Sequence, residues 1–327
     1  MELITSFAMG LDGTVSELDP EDRSLAELAA EAPDGGFVWC HVDLAIDGAD
    51  AWLRGAPLDS VILDALTAAE TRPRCTLHGD GALLNLRGVN LNPGAEPEDM
   101  VSLRLWVTGR LVVSAQLRQL KALLDVVDAA RRGQGPDSPA ELIARLALRM
   151  ADRAEPVVAG LNERIDDLEE AVLQDAGGVH RGALADMRRV AIVLRRYLAP
   201  QRDALSTLEI EDLSWIRSHD RSRLREATER MTRLAEELDA IRDRAQVVQD
   251  QILEMRSEAM NRQMLVLSVV AAVFLPLGLI TGLLGINVGG IPGTDTPWAF
   301  WAVCALLVAV VGFQLWLFKK MGLIGKG

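Results

Sequence analysis

The chain has 327 residues, a formal net charge of −13 and 49% hydrophobic residues. That acidic balance argues against a nucleic-acid partner, because phosphate backbones are gripped by basic patches, and it suits a protein that draws cations. Three cysteines (Cys40, Cys75 and Cys304) with no Cys-x-x-Cys spacing exclude a disulfide framework and a structural zinc knuckle.

The first residues, MELITSFAMGLDGTVSELD, have no basic n-region and no long apolar core, so no signal peptide is expected and the soluble part should begin in the cytoplasm. Residues 1–135 read as a cytoplasmic α/β domain. Apolar runs with strand character are Leu3–Met9, Gly36–Val42, Ala82–Val89, Val101–Val107 and Arg110–Ala115. Helical patterns cover Pro20–Ala32, Ser60–Glu70 and Lys121–Arg132. Thr108-Gly109 between two apolar runs predicts a tight hairpin. The stretch from Gly133 to Pro139 reads as a linker.

From Pro139 onward the pattern is helical. Ser138 before Pro139, with Glu141 two residues on, predicts a helix start. Two helices, to about Asp175 and from about His180 to Ser206, make residues 136–217 a helical hairpin. A third helix starts near Ser218 and meets no Pro or Gly before Pro276. Its part over 218–263 is a charged stalk, with opposite charges three and four apart. Extended to Gly285, it would be on the order of 100 Å long. Such a helix needs a bundle or copies of itself to pack against.

Residues Met264–Phe318 hold two runs of about 20 apolar residues each, long enough to cross a bilayer. We expect a first span over 264–285, an outer loop over 286–297, a second span over 298–318 and a basic cytoplasmic tail over 319–327. Arg256 and Arg262 precede the first span and Lys319, Lys320 and Lys326 follow the second, whereas the loop has one acid, Asp295. The positive-inside rule therefore puts both termini in the cytoplasm of an inner (plasma) membrane protein. Trp298, Trp301 and Trp316 sit where an aromatic belt would.

Asp250, Glu254, Ser257, Asn261, Met264, Ser268, Ala271 and Leu275 recur at alternating steps of four and three, a 3.5-residue seam. The seam is polar at its start, which suits a stripe lining water. The plainer reading leaves these residues facing solvent while another face packs. Two spans cannot enclose an aqueous path, so a pore would lie on the symmetry axis of a homo-oligomer. The first span, rich in small residues, is the pore-lining candidate. Pro276 should free the carbonyl of Ala272 and kink that span.

Gly285-Ile286-Asn287, ending the first of two C-terminal spans after a very long helix, resembles the signature of the CorA superfamily of divalent-cation transporters. The superfamily hallmark there is Gly-Met-Asn. Ile in the middle, set in FLPLGLITGLLGINVGGIPG, is similar to the ZntB branch, which is associated with zinc. The resemblance covers the whole architecture. It implies a CorA-like funnel: an α+β cytoplasmic domain in α/β/α layers, stalk helices, and a transmembrane hairpin assembled as a homopentamer in the bilayer. It also implies that Gly285, Ile286 and Asn287 ring the outer mouth, and it leaves room for proton coupling. Helix C-termini and Asn carbonyls at that mouth would favour cations without trapping them. The alternative for Asn287 is a helix C-cap. Asp295 could attract cations or start the second span.

Zinc favours His and Cys. Cys40 and His41 are neighbours on a predicted strand and point to opposite faces. Cys75 and His78 form a weak Cys-x-x-His pattern in a predicted loop. Metal binding is the lesser reading for His41, Cys75 and His78, and no tightly bound cofactor is expected beside the transported cation. Neither His nor a carboxylate lies within the spans to relay protons. Magnesium, cobalt or nickel transport of the CorA type remains an alternative to zinc, and a membrane-anchored sensor or scaffold is the alternative from another class. No phosphate loop, nucleophile elbow or metal-hydrolase motif points to an enzyme.

Overall fold

The computed structural model describes residues 3–173, 180–291, 293 and 296–322. The chain divides into two compact units, Met1–Gln249 and Asp250–Gly327.

Seven strands form the sheet of the first unit: β1 (Ile4–Met9), β2 (Val15–Leu18), β3 (Phe37–Asp43), β4 (Arg74–His78), β5 (Gly81–Gly88), β6 (Val101–Val107) and β7 (Leu111–Gln116). Their order is β2-β1-β3-β7-β6-β5-β4. Two antiparallel ribbons are joined at the centre by the one parallel pair, β3 with β7. β1, β3 and most of β5 to β7 are buried, so they read as continuous apolar runs in the sequence.

Helices cover both faces. α1 (Leu25–Ala30), α2 (Ala49–Arg54) and α3 (Ser60–Thr67) lie on one side. There Val38, Cys40, Val42, Val113 and Ala115 pack with Leu28, Leu53 and Leu66. On the other side are α4 (Lys121–Arg131), α5 (Pro139–Leu173) and α6 (His180–Ile210). This is the expected α/β/α layering. The hairpin at Thr108 is present, closed by the Thr108 N–H on the Leu111 carbonyl at 2.9 Å.

Several local expectations need correction. The sequence pattern does not predict β2, α2 or β4. β2 is a partly exposed edge strand of four residues, too short for a period-2 pattern to stand out. The Cys75–His78 stretch is strand, not loop, because pairing with β5 supplies its backbone partners. α1 starts at Leu25 rather than Pro20. Its start is set by a capping box in which Ser24 and Glu27 satisfy each other's backbone N–H groups.

α5 starts as its cap motif predicts: the Glu141 N–H donates to Ser138 Oγ at 3.0 Å. α7 runs from Ser218 to Gly285, 68 residues. Through the first unit it buries Leu224, Ala227, Met231, Leu234, Leu238, Ile241, Ala245 and Val248, the apolar stripe of an amphipathic helix. The second unit holds the end of α7 and α8 (Ala299–Lys320).

Candidate ion path

The end of α7 and α8 are both long and apolar enough to cross a membrane, and their apolar stretches are exposed. Exposed Phe274, Leu279, Phe300, Val308 and Phe313 would be unfavourable in water and favourable in lipid. Lys319 and Lys320 occupy the last turn of α8, and the Lys320 ammonium sits 5.2 Å from the centre of the Trp316 ring.

Pro276 stands inside α7. It has no N–H for the carbonyl four residues earlier, and that carbonyl, Ala272, accepts instead from Gln314 Nε2 on α8 at 3.0 Å. Sequence reasoning identified the freed carbonyl but not its partner. One turn on, Thr281 Oγ donates to the carbonyls of Leu277 and Gly278 at 2.8 and 3.3 Å. Its hydroxyl is thereby satisfied within the helix.

α7 stops at Gly285, and Ile286 and Asn287 continue in non-helical backbone, exposed. A methyl group added at Gly278, Gly282 or Gly285 would meet nothing within 4 Å. The loop turns at Gly290 (φ 102°) and Gly293 (φ 89°), in the left-handed region that favours glycine. α8 starts behind Trp298, which makes no side-chain cap. Asp295 lies outside the described residues.

The seam residues Asp250, Glu254, Ser257, Asn261, Met264, Ser268, Ala271 and Leu275 are all exposed in the single chain. By helical phase, at about 100° per residue, Asp250 stands roughly opposite the buried Ile241, Ala245 and Val248. From Leu253 to Ser268 α7 is exposed on every side in the single chain, so the seam is marked by its phase, continuing the side of α7 opposite Ile241, Ala245 and Val248, and not by exposure.

The candidate zinc-type ligands of the first unit are not brought together. Cys40 and His41 point to opposite faces of β3, paired with Val113 and Ser114 of β7. Burial pushes the Cys40 thiol up to about 12. Trp39 Nε1 donates to Ser114 Oγ at 2.8 Å, and that hydroxyl lies 2.9 Å from His41 Nδ1. The indole can only donate, so the Ser114 hydroxyl accepts from it and shares its other hydrogen-bonding capacity with Nδ1. His41 Nε2 finds no partner among the described residues. Burial lowers the His41 pKa to about 3. Cys75 and His78 are three apart on β4 and face opposite ways. His78 packs edge-on to Trp106 and lies 3.6 Å from an Asp59 oxygen.

One cluster escaped sequence reasoning. Ligand atoms of Asp137, His219 and Asp220 lie within 4.8 Å of one another. Asp220 is fully buried. It accepts from Ser138 Oγ at 2.8 Å and from the Arg217 backbone N–H at 2.9 Å. Arg217 also reaches Asp137 at 2.5 Å, so a guanidinium already supplies the positive charge. The two halves are about 80 residues apart, and no local pattern joins them.

A layered α/β unit followed by an exposed two-helix apolar hairpin defines an integral membrane protein with a soluble domain. Residues 34–320 match the family described as CorA-like Mg2+ transporter protein, and the chain belongs to that family, one of ion transporters rather than enzymes. It is 43% identical over 287 residues to "Divalent cation transporter CmaX" of Pseudomonas aeruginosa, covering 87% of this chain and 86% of that one. It is 36% identical over 318 residues to "Zinc transport protein ZntB" of Yersinia enterocolitica, covering 97% and 94%. The structure of full-length CmaX superposes with a TM-score of 0.80 at 38% identity, over 98% of each chain. The complete CorA magnesium transporter of Methanocaldococcus jannaschii has the same fold, with a TM-score of 0.78 at 17% identity over 99% of each chain.

Proposed function

We propose that this protein carries divalent metal cations, zinc foremost, across the inner membrane. In this reading five copies surround a central axis, and the uncovered seam of each α7 lines the path from Asp250 and Glu254 past Asn261 to Leu275. Gly285, Ile286 and Asn287 form the outer mouth. The observation that carries the reading is the seam. It is polar where the helix lies below the membrane and small or apolar within it. By helical phase it also continues the side of α7 opposite the residues buried before Asp250. A second copy of the same helix would cover it by symmetry.

The mouth offers neutral oxygens. An Asn287 carbonyl accepts hydrogen bonds from an ion's water shell and coordinates more weakly than a carboxylate would. The chain's acidic balance raises the local cation concentration. Both termini lie in the cytoplasm, with Arg256, Arg262, Lys319 and Lys320 on that side. The relatives described as zinc transport proteins favour zinc over magnesium.

The deciding experiment is flux of isotopic zinc and magnesium into liposomes carrying the wild type or Asn287→Ala. Zinc flux in the wild type, lowered at least tenfold by the substitution, is expected. Equal flux and selectivity in the two proteins would remove Asn287 from the mouth, and magnesium flux without zinc flux would reassign the cargo.

A further inference from the structure

The acidic first unit contains an arginine-lined cleft that the transport reading does not use. Its walls come from β5, β6, the end of β7, α6 and the segments around Glu70 and Glu98, and its volume is about 330 Å3. Arg87, Arg104, Arg118 and Arg196 line it. Among the described residues none of the four makes an ion pair, although most of the other arginines do. Three carboxylates also line the cleft, Glu70, Glu98 and Asp99, and Glu98 is already paired with Arg189 at 3.0 Å.

Arg104, Arg87 and Arg196 are held in place, and Arg118 is exposed at the rim. Arg104 is 1% exposed. Its Nε and Nη2 donate to the carbonyls of Ala68 and Ala69 at 2.8 and 3.1 Å, and its Nη1 is buried with no partner among the described residues. The Arg87 backbone N–H donates to Gln201 Oε1 at 2.6 Å, and its Nε is a second buried orphan. The guanidinium carbons of Arg87 and Arg196 lie 4.3 and 5.0 Å from the centre of the Tyr197 ring, and Arg196 Nη2 donates to the Tyr197 hydroxyl at 3.2 Å. Burial, then the nearby Arg87 charge, lowers the Arg104 pKa. Four arginines outnumber the two carboxylates of the cleft, Glu70 and Asp99, that make no ion pair among the described residues, and the excess of like charge is most costly at the buried Arg104. A bound anion would reverse that cost, and the fork of a guanidinium matches phosphoryl oxygens in particular.

We propose that this cleft binds a phosphoryl-bearing small anion, with Arg104 as its floor and Arg87, Arg118 and Arg196 at its walls. The volume holds a phosphate with its waters or a diphosphate group, at about 30 Å3 per displaced water. Free phosphate and the phosphate tail of a nucleotide share this chemistry.

Isothermal titration of the full-length chain in detergent with inorganic phosphate, pyrophosphate and ATP tests it. Saturable binding is expected, one anion per chain, weakened about tenfold by each of Arg87→Gln and Arg118→Gln. Arg132→Gln, on an exposed arginine outside the cleft, should leave it unchanged. These two cleft arginines are used because Arg104, being buried, supports the fold itself. ATP binding more tightly than pyrophosphate would assign the site to nucleotides, and equal affinity would assign it to the phosphoryl group alone. No saturable binding of any of the three, or binding that survives the Arg87→Gln/Arg118→Gln double substitution, would overturn the proposal.

Discussion

Gln314 of α8 donates its side-chain N–H to the Ala272 carbonyl of α7 at 3.0 Å, the one carbonyl that Pro276 leaves without its helical partner. A proline inside an apolar span exposes a carbonyl where no water competes for it. A polar side chain on the neighbouring helix satisfies that carbonyl and ties the hairpin together. Gln314→Leu should therefore destabilise the hairpin by about 1–2 kcal/mol. Restoring the backbone donor with Pro276→Ala should cancel most of that loss. Unfolding of the four proteins of this cycle in mixed micelles measures the coupling, and additive effects would mean that the bond is not energetically significant.

The seam prediction concerns copies of the chain. In a background with Cys75 and Cys304 replaced by alanine, Ser257→Cys or Ser268→Cys should cross-link neighbouring copies under oxidation. Both positions lie on the seam, and the proposed five-fold axis would end the ladder at the pentamer. Glu258→Cys, off the seam, should cross-link at least tenfold less. Equal ladders from Glu258→Cys and Ser257→Cys would remove the seam from the axis.

His41 predicts a pH dependence. Its pKa is about 3 in the folded chain, from burial, against an ordinary value of 6.5. A histidine that is neutral when folded and protonated when unfolded leaves stability intact above 6.5. As pH falls from 6.5 toward 3, stability is lost at up to about 1.4 kcal/mol per pH unit. His41→Asn removes the titration. The wild type should lose stability faster than this variant across that interval, as read from chemical denaturation at stepped pH. Parallel curves would refute the neutral, buried imidazole.

Asp220 anchors the start of α7 to the start of α5. It is buried and accepts from Ser138 Oγ and from the Arg217 N–H. Asp220→Ala would strand those donors and part of the Arg217 charge, so a loss of about 3–5 kcal/mol is expected. A thermal melt shifted by no more than surface substitutions shift it would show that Arg217 finds other partners.

Much of this protein is determined by its sequence alone. The hairpin at Met264–Phe318, the uninterrupted helix before it, and the tripeptide at Gly285 are patterns of composition and local spacing. Local physics acts on them directly: apolar length selects a membrane span, and the absence of Pro and Gly from Ser218 to Pro276 permits one helix. Buried strands β1, β3 and β5 to β7 are legible for the same reason, as unbroken apolar runs. Edge strand β2, strand β4 and helix α2 are too short for periodicity to separate them from loop.

Tertiary structure alone decided which distant groups meet. Gln314 is one polar residue within an apolar span, and only the fold places it against Ala272, 42 residues away. The Asp137–Asp220 cluster and the four-arginine cleft unite residues from separate strands and helices. Charge and hydrogen-bond partners across such distances depend on how the layers pack, and no local pattern records that. The resemblance at Gly285-Ile286-Asn287 points to the family, whereas the side of α7 on which the seam lies is fixed only by which of the helix's residues pack before Asp250.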